Sequence, residues 1–179
     1  RYSYTYSGMG ALVASIFVKD AEWQAKGGAI SEGNDRLRDN LGSPTALVAP
    51  IAGTHPTIDI GALVESLLER EQTSSTAIAD GIAIPHARHS AGDNVVCAFG
   101  RNRDGLDFDS IDGTPTRIFF VLVSPETRPK LHLRWLAHLC KLLANPEFRD
   151  TLLSADSPEA VIAAIEHAEQ AQAQGTRGK

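Results

Sequence analysis

The stretch Arg117–Val123 (RIFFVLV) decides the architecture. From Ile118 to Val123 it is purely apolar and mixes β-branched with aromatic residues, and Ser124-Pro125 closes it. A run that is apolar at every position, rather than at alternate ones, reads as a strand covered on both faces. Working outward, Leu131, Trp135, Leu136, Leu139, Leu142 and Leu143 form a helical stripe over 131–143. Asn145-Pro146 ends that helix, and two short ones are expected at 147–153 and 158–168, the second with Ser157 as N-cap before Pro158. In the other direction, 95–100 (VVCAFG) reads as a strand followed by an Asp104-Gly105 turn signal. Gly81-Ile82-Ala83-Ile84-Pro85-His86 reads as a strand stopped by a proline, and Leu63, Val64, Leu67 and Leu68 recur at helical spacing. Helices alternating with covered strands imply an α/β class, with helices on both faces of one sheet.

Composition narrows the function classes. The chain has 179 residues, 42% hydrophobic and 22% charged, as in an ordinary globular domain. Its 17 basic and 22 acidic residues give a net charge of −5, which argues against nucleic acid and anionic membrane as main partners. The longest apolar run is far short of a membrane helix, so no membrane insertion is expected. Only Cys97 and Cys140 occur, without metal-ligand spacing, so neither a disulfide scaffold nor a zinc ribbon is expected. A cytoplasmic, reducing location fits these features. Residues 1–57 are hard to read, apart from 11–18 (ALVASIFV), expected as a buried strand or short helix; 169–179 is expected to be a polar, fraying tail.

Three residues stand out as chemistry. Pro85 fixes its own φ and pushes Ile84 into an extended conformation, so an apolar strand presents the His86 imidazole at its tip. Strand ends of this kind are where ligands gather in open α/β sheets; the bland alternative is a loop histidine without a role. His132 shares a helical face with Trp135 and Leu136, near a helix start where backbone N–H groups favour an anion. A satisfied half-buried histidine is its alternative. Arg70 closes its helix just before a Ser/Thr loop, and a solvated charge complementing the helix dipole is its alternative. His86 and His89 form an HxxH pair without further ligands at fixed spacing, so no metal is assigned. Asp107, Asp109, Asp112 and Gly113 depart from a calcium loop, because Ile111 stands where an oxygen ligand is needed; a polar turn is expected.

Taken together, Glu69-Arg70-Glu71, Ser75-Thr76 and Gly81–His86 resemble the signature of enzyme IIA domains of the fructose/mannitol type. These belong to the phosphoenolpyruvate-dependent sugar phosphotransferase system, and nitrogen-regulatory IIA proteins share the pattern. The block 106–115 (LDFDSIDGTP) and the helix opening His132-Leu133-Arg134-Trp135 agree in order and separation. The resemblance covers 58–168, leaves 1–57 poorly matched, and implies a mixed β-sheet flanked by helices. It implies that His86 accepts a phosphoryl group from a histidine phosphocarrier protein, with His132 beside it and Arg70 holding the phosphate. No metal or organic cofactor is implied. Two departures stand out: Ala87 follows the histidine where many members have glycine, and 76–81 (TAIADG) replaces a glycine-rich stretch.

Three roles follow from that resemblance. The first expectation is a regulatory, nitrogen-type IIA, mildly favoured because no IIB or phosphocarrier domain is fused to the chain; the second is a sugar-transport IIA passing phosphate to a fructose/mannitol-type IIB; the third is a binding module that no longer takes phosphate. The docking surface is expected to surround His86 and to be largely apolar and neutral, with Ile82 and Ile84 nearby and Arg88 as a rim charge toward an acidic partner.

Overall fold

In the computed structural model of the chain, the described residues are 13–14, 48, 51, 57–89 and 95–177. Along the chain they form β1 (Val13–Ala14), α1 (Ile60–Thr73), β2 (Ile82–Ala83), β3 (His86–His89), β4 (Val96–Leu106) and β5 (Thr116–Pro125). Three helices follow: α2 (Pro129–Leu143), α3 (Pro146–Ser154) and α4 (Pro158–Arg177). The sheet is mixed, as expected. β4 and β5 pair antiparallel, β1 adds to β4 in parallel, and both β2 and β3 pair in parallel with the other edge of β5.

The apolar run reads as the sequence demands. Phe119, Val121 and Val123 face one core, with Leu63, Leu67 and Leu68 of α1. Ile118, Phe120 and Leu122 face a second core, with Leu139, Leu142 and Leu143 of α2, Phe148 and Leu152 of α3 and Val161 of α4. The two-residue period of a strand thus distributes one apolar run between two helical layers. Val48 and Ile51, from the segment that resists reading in the sequence, are fully buried in the α1-side core. The expected element at 11–18 appears as the short strand β1; the rest of residues 1–57 lies almost entirely outside the described residues.

Two expectations change. Asp104-Gly105 does not end β4, which continues to Leu106. The Asn102 side-chain oxygen accepts from the N–H groups of Asp104 and Gly105, Gly105 takes φ +83°, and the pairing with β5 shifts register between Arg101 and Leu106. The turn signal is therefore a bulge within a longer strand. The chain reverses afterwards, in the polar turn expected at 107–115, where the Asp112 carboxylate accepts from the N–H groups of Asp80 and Thr114 and from the Ser110 hydroxyl. Those bonds hold the Asp112 carboxyl well below the usual carboxylate range. The tail expected to fray from 169 instead continues as helix to Arg177. Glu169 supplies a reason: its Oε1 lies 2.7 Å from His138 Nε2 on α2, so the polar segment is tied back to the body.

β2 and β3 are one edge strand interrupted at Ile84-Pro85. Pro85 has no N–H to give, but its carbonyl accepts from Leu122 N at 2.9 Å, so the interruption stays docked on β5. The strand is entered through Asp80 and Gly81, at φ +63° and +72°. Ile78 N donates to Ile82 O at 2.8 Å and Ile84 N to Thr76 O at 3.0 Å, closing the turn. A Cβ at position 81 would stand 3.0 Å from the Pro115 carbonyl oxygen in a backbone conformation that L-residues rarely adopt. Gly81→Ala is therefore expected to destabilise the protein by roughly 1–3 kcal/mol. Chemical denaturation checks this, and a wild-type midpoint would contradict it.

Candidate functional site

His86 is the first residue of β3, immediately after the proline break, and is half-buried. Its Nδ1 lies 2.7 Å from the Ile84 carbonyl, and its Nε2 lies 3.0 Å from Arg70 Nε. A guanidinium can only donate and a carbonyl can only accept. The ring is therefore neutral, with its proton on Nδ1 and its Nε2 lone pair directed at Arg70. Burial lowers the His86 pKa below the usual 6.5, opposed by the Ile84 carbonyl and reinforced by the Arg70 charge.

Arg70 sits in the last turn of α1, where its Nη1 also donates to the Ser74 carbonyl at 3.0 Å. It thus caps its own helix and reaches His86 with the same guanidinium. His132 is buried in the first turns of α2, and its ring centroid lies 5.3 Å from that of His86. Its Nδ1 is 2.6 Å from Ser124 Oγ at the end of β5. Burial lowers the His132 pKa first, with the nearby His86, Arg88 and Arg70 adding to the shift. The structure brings all three sequence candidates together. They line one side of an open cleft of about 820 Å³ with Glu69, Arg88, Glu126 and Leu133.

The surroundings depart from the expectation at Ile82 and Ile84. Ile82 and Ile84 are buried in the α2-side core and lie away from the surface. Ala87 turns into the opposite core. Exposed residues lining the cleft include charged Glu69, Arg88 and Glu126 beside neutral Thr73, Pro129 and Leu133. His89 does not join His86: the two are three apart on a strand and so project to opposite faces. Among the described residues, no cluster of three or more potential metal ligands forms.

Two supporting residues are visible only in three dimensions. Ser124 reads in the sequence as part of a strand terminator, but it is buried and bonded to His132. Glu71 holds the loop after α1: Oε1 accepts from Thr76 N at 2.9 Å and from Ser75 Oγ at 3.0 Å, and Oε2 from Thr76 Oγ1. Glu71 appears in the quoted Glu-Arg-Glu motif, yet nothing in its spacing announces a loop anchor.

Comparison with known proteins identifies the family and the fold. The family model described as "Phosphoenolpyruvate-dependent sugar phosphotransferase system, EIIA 2" matches residues 15–168. A fructose-specific EIIABC component of Bacillus subtilis is 43% identical over 104 residues, which are 58% of this chain and 16% of that protein, so the chain spans only a small part of that relative. A nitrogen regulatory protein of Pseudomonas aeruginosa is 36% identical over 111 residues, 62% of this chain and 72% of its own. The crystal structure of the nitrogen regulatory protein IIA-Ntr from Neisseria meningitidis superposes with TM-score 0.65 at 27% identity, covering 84% of this chain and 92% of its own. IIA mannitol of Escherichia coli shares the fold, with TM-score 0.55 at 18% identity over 84% of this chain and 94% of its own. Among the described residues no helix is long and apolar enough to cross a membrane. With a model match over most of its length, the chain belongs to the EIIA 2 family of the phosphoenolpyruvate-dependent sugar phosphotransferase system.

Proposed function

We propose that His86 is a phosphoacceptor that takes its phosphoryl group from a histidine phosphocarrier protein, with Arg70 and His132 stabilising the transferred group. The observation that carries this reading is the hydrogen-bond pair on the His86 ring: Nδ1–H on the Ile84 carbonyl, and Nε2 free of a proton against Arg70. Nε2 attacks phosphorus as the bond to the carrier's imidazole nitrogen breaks, and that imidazole leaves with its electron pair. The His86 ring gains positive charge as the N–P bond forms, and the Ile84 carbonyl is already placed to stabilise it. Arg70 exchanges the lone pair for a phosphate oxygen, a charge-assisted bond roughly twice as strong as a neutral one. Ser124 Oγ lies 2.6 Å from His132 Nδ1, and in the tautomer where that hydroxyl donates, the His132 proton is on Nε2 as a second donor. The start of α2 adds backbone dipoles of the same sign. Positioning and charge stabilisation are what phosphoryl transfer chiefly needs.

The regulatory, nitrogen-type role is the better supported of the two downstream readings, because the higher structural similarity lies with the nitrogen regulatory protein. A sugar-transport role draws on the 43% identity to a fructose-specific component. Onward transfer separates them: a transport component passes its phosphate to a fructose-type IIB, and a regulatory one retains it.

Incubation with phosphoenolpyruvate and the upstream relay proteins is expected to add one acid-labile phosphoryl group to the wild-type protein and none to His86→Ala. Full labelling of His86→Ala would overturn the assignment. Arg70→Gln and His132→Ala are expected to slow labelling about tenfold or more, since ~1.4 kcal/mol of lost transition-state stabilisation is one decade in rate. Wild-type rates in both variants would remove them from the site.

The neutral imidazoles carry a pH signature. Both rings have native pKa values below the usual 6.5, so near that pH the unfolded chain binds protons that the native protein does not. Their contribution to stability is fully present above about pH 6.5 and is lost as pH falls toward the lowered native midpoints. Histidine NMR titration is expected to place both midpoints below 6.5, with Arg70→Gln moving that of His86 upward. A His86 midpoint at or above 6.5 in the wild-type protein would contradict the buried, neutral resting state.

A further inference from the structure

Ser124 is a polar residue at the end of an apolar strand. It is buried, like every residue of β5 from Ile118 to Pro125. By strand alternation it shares a face with Ile118, Phe120 and Leu122, the side that packs against α2. A hydroxyl in such surroundings is costly unless it is bonded. Its Oγ lies 2.6 Å from His132 Nδ1, and among the described residues this is the one hydrogen bond the hydroxyl makes. Ser124 also sits in register with Arg88, two residues along from the pairing of Leu122 with His86. It therefore ties the start of α2 to the part of β5 that holds β3.

Two proton arrangements make the Ser124–His132 bond, and they differ in what is left over. If Nδ1 carries the ring proton, it donates to Oγ, and the hydroxyl proton is left in the interior without an acceptor. If the hydroxyl donates, only lone pairs are left over. An unmade buried donor is the rarer and costlier omission. Burial, with His86, Arg88 and Arg70 nearby, lowers the His132 pKa, so the ring is neutral and has one proton to place. With Nδ1 accepting, that proton is on Nε2. Among the described residues Nε2 has no hydrogen-bond partner, and His132 lines the cleft that holds His86.

We infer that Ser124 is a positioning residue, whose hydroxyl grips the His132 ring at Nδ1 and fixes Nε2 as an N–H donor facing a phosphoryl group on His86. The orientation of the ring and the sign of its free edge are then set before any phosphate arrives. In the other tautomer Nε2 would turn a lone pair toward the phosphate oxygens and repel them. The cations Arg88 and Arg70 favour that lone pair while the cleft is empty, so the hydroxyl at Nδ1 is what keeps a donor in place. The consequence for transfer rests on the phosphoacceptor reading of His86; the tautomer of His132 does not.

Wild type is compared with Ser124→Thr and Ser124→Val, two variants of one shape that differ in the hydroxyl, each with His132 intact and with His132→Ala. Nitrogen-15 histidine spectra at a pH where the ring is neutral, assigned by the loss of signals in His132→Ala, are read first. Wild type and Ser124→Thr are expected to show a proton-free Nδ1 and a protonated Nε2, and Ser124→Val a mixture of both tautomers. A proton on Nδ1 in the wild-type protein overturns the inference, and that spectrum requires no variant to fold. Transfer from a phosphorylated histidine phosphocarrier protein is then expected to be about fivefold slower in Ser124→Val than in Ser124→Thr. With His132→Ala beneath them, the two are expected to agree within about twofold, because Ser124 acts through that ring. Equal rates with His132 present overturn the inference, and so does the same fivefold gap without it, which marks a packing role. If the wild-type protein takes no phosphate from the carrier, the phosphoacceptor reading fails instead. The spectra then decide the role of Ser124: a protonated Nε2 that depends on the hydroxyl supports it, and an Nε2 proton equally held in Ser124→Val overturns it.

Discussion

The site depends on one constraint, the burial of β5 on both faces. From Ile118 to Pro125 every residue is buried, and alternate side chains serve two separate cores. A strand so enclosed cannot slip by one residue without exchanging all its side chains between those cores. Its register is therefore fixed, and it fixes in turn whatever pairs with it. His86 is set opposite Leu122, and Ser124 is set beside the start of α2. The proline break just before His86 is tolerable because the Pro85 carbonyl still finds a partner on this strand.

On that frame, the chemistry is a balance between desolvation and hydrogen bonding. Burial disfavours charge on both imidazoles, and the Arg70 guanidinium adds to the effect on each. The Ile84 carbonyl works in the opposite sense on His86, stabilising a cationic ring. The resting ring stays neutral because burial outweighs that carbonyl, while the carbonyl remains in place for the moment when charge appears. Arg70 occupies a similar middle position, bonded at once to its own helix end and to His86 Nε2.

Much of this was legible in one dimension. A continuous apolar run gave a doubly covered strand and a 3.6-residue stripe gave α1 and α2; the proline before His86 marks a break, but the edge strand resumes at His86 and runs to His89 instead of ending there. Local chemistry is what a sequence writes plainly. The misses share a physical cause, since each turned on a partner distant in the chain. Asp104-Gly105 is turn-like in isolation, but β5 pairs beyond it and makes it a bulge. The polar residues after Ala168 have every reason to fray until His138 meets Glu169. Ile82 and Ile84 stand close to His86 in sequence and look available to a partner, yet strand alternation and α2 bury them. Ser124 is a breaker by composition and a histidine anchor by position.

The parallel pairing of β2 and β3 with β5 also sets when the site comes into being. Arg70 and His86 both precede β5 in the chain, but the strand that fixes His86 and the helix that carries His132 come after them. Parallel partners cannot be joined by a tight turn, and contacts that close long loops form late. On a ribosome, a chain that has emerged as far as His86 carries this histidine and Arg70 without a sheet to mount them on. The cluster of Arg70, His86 and His132 thus arrives only with the completed fold, after β5 and α2 have been synthesised and packed.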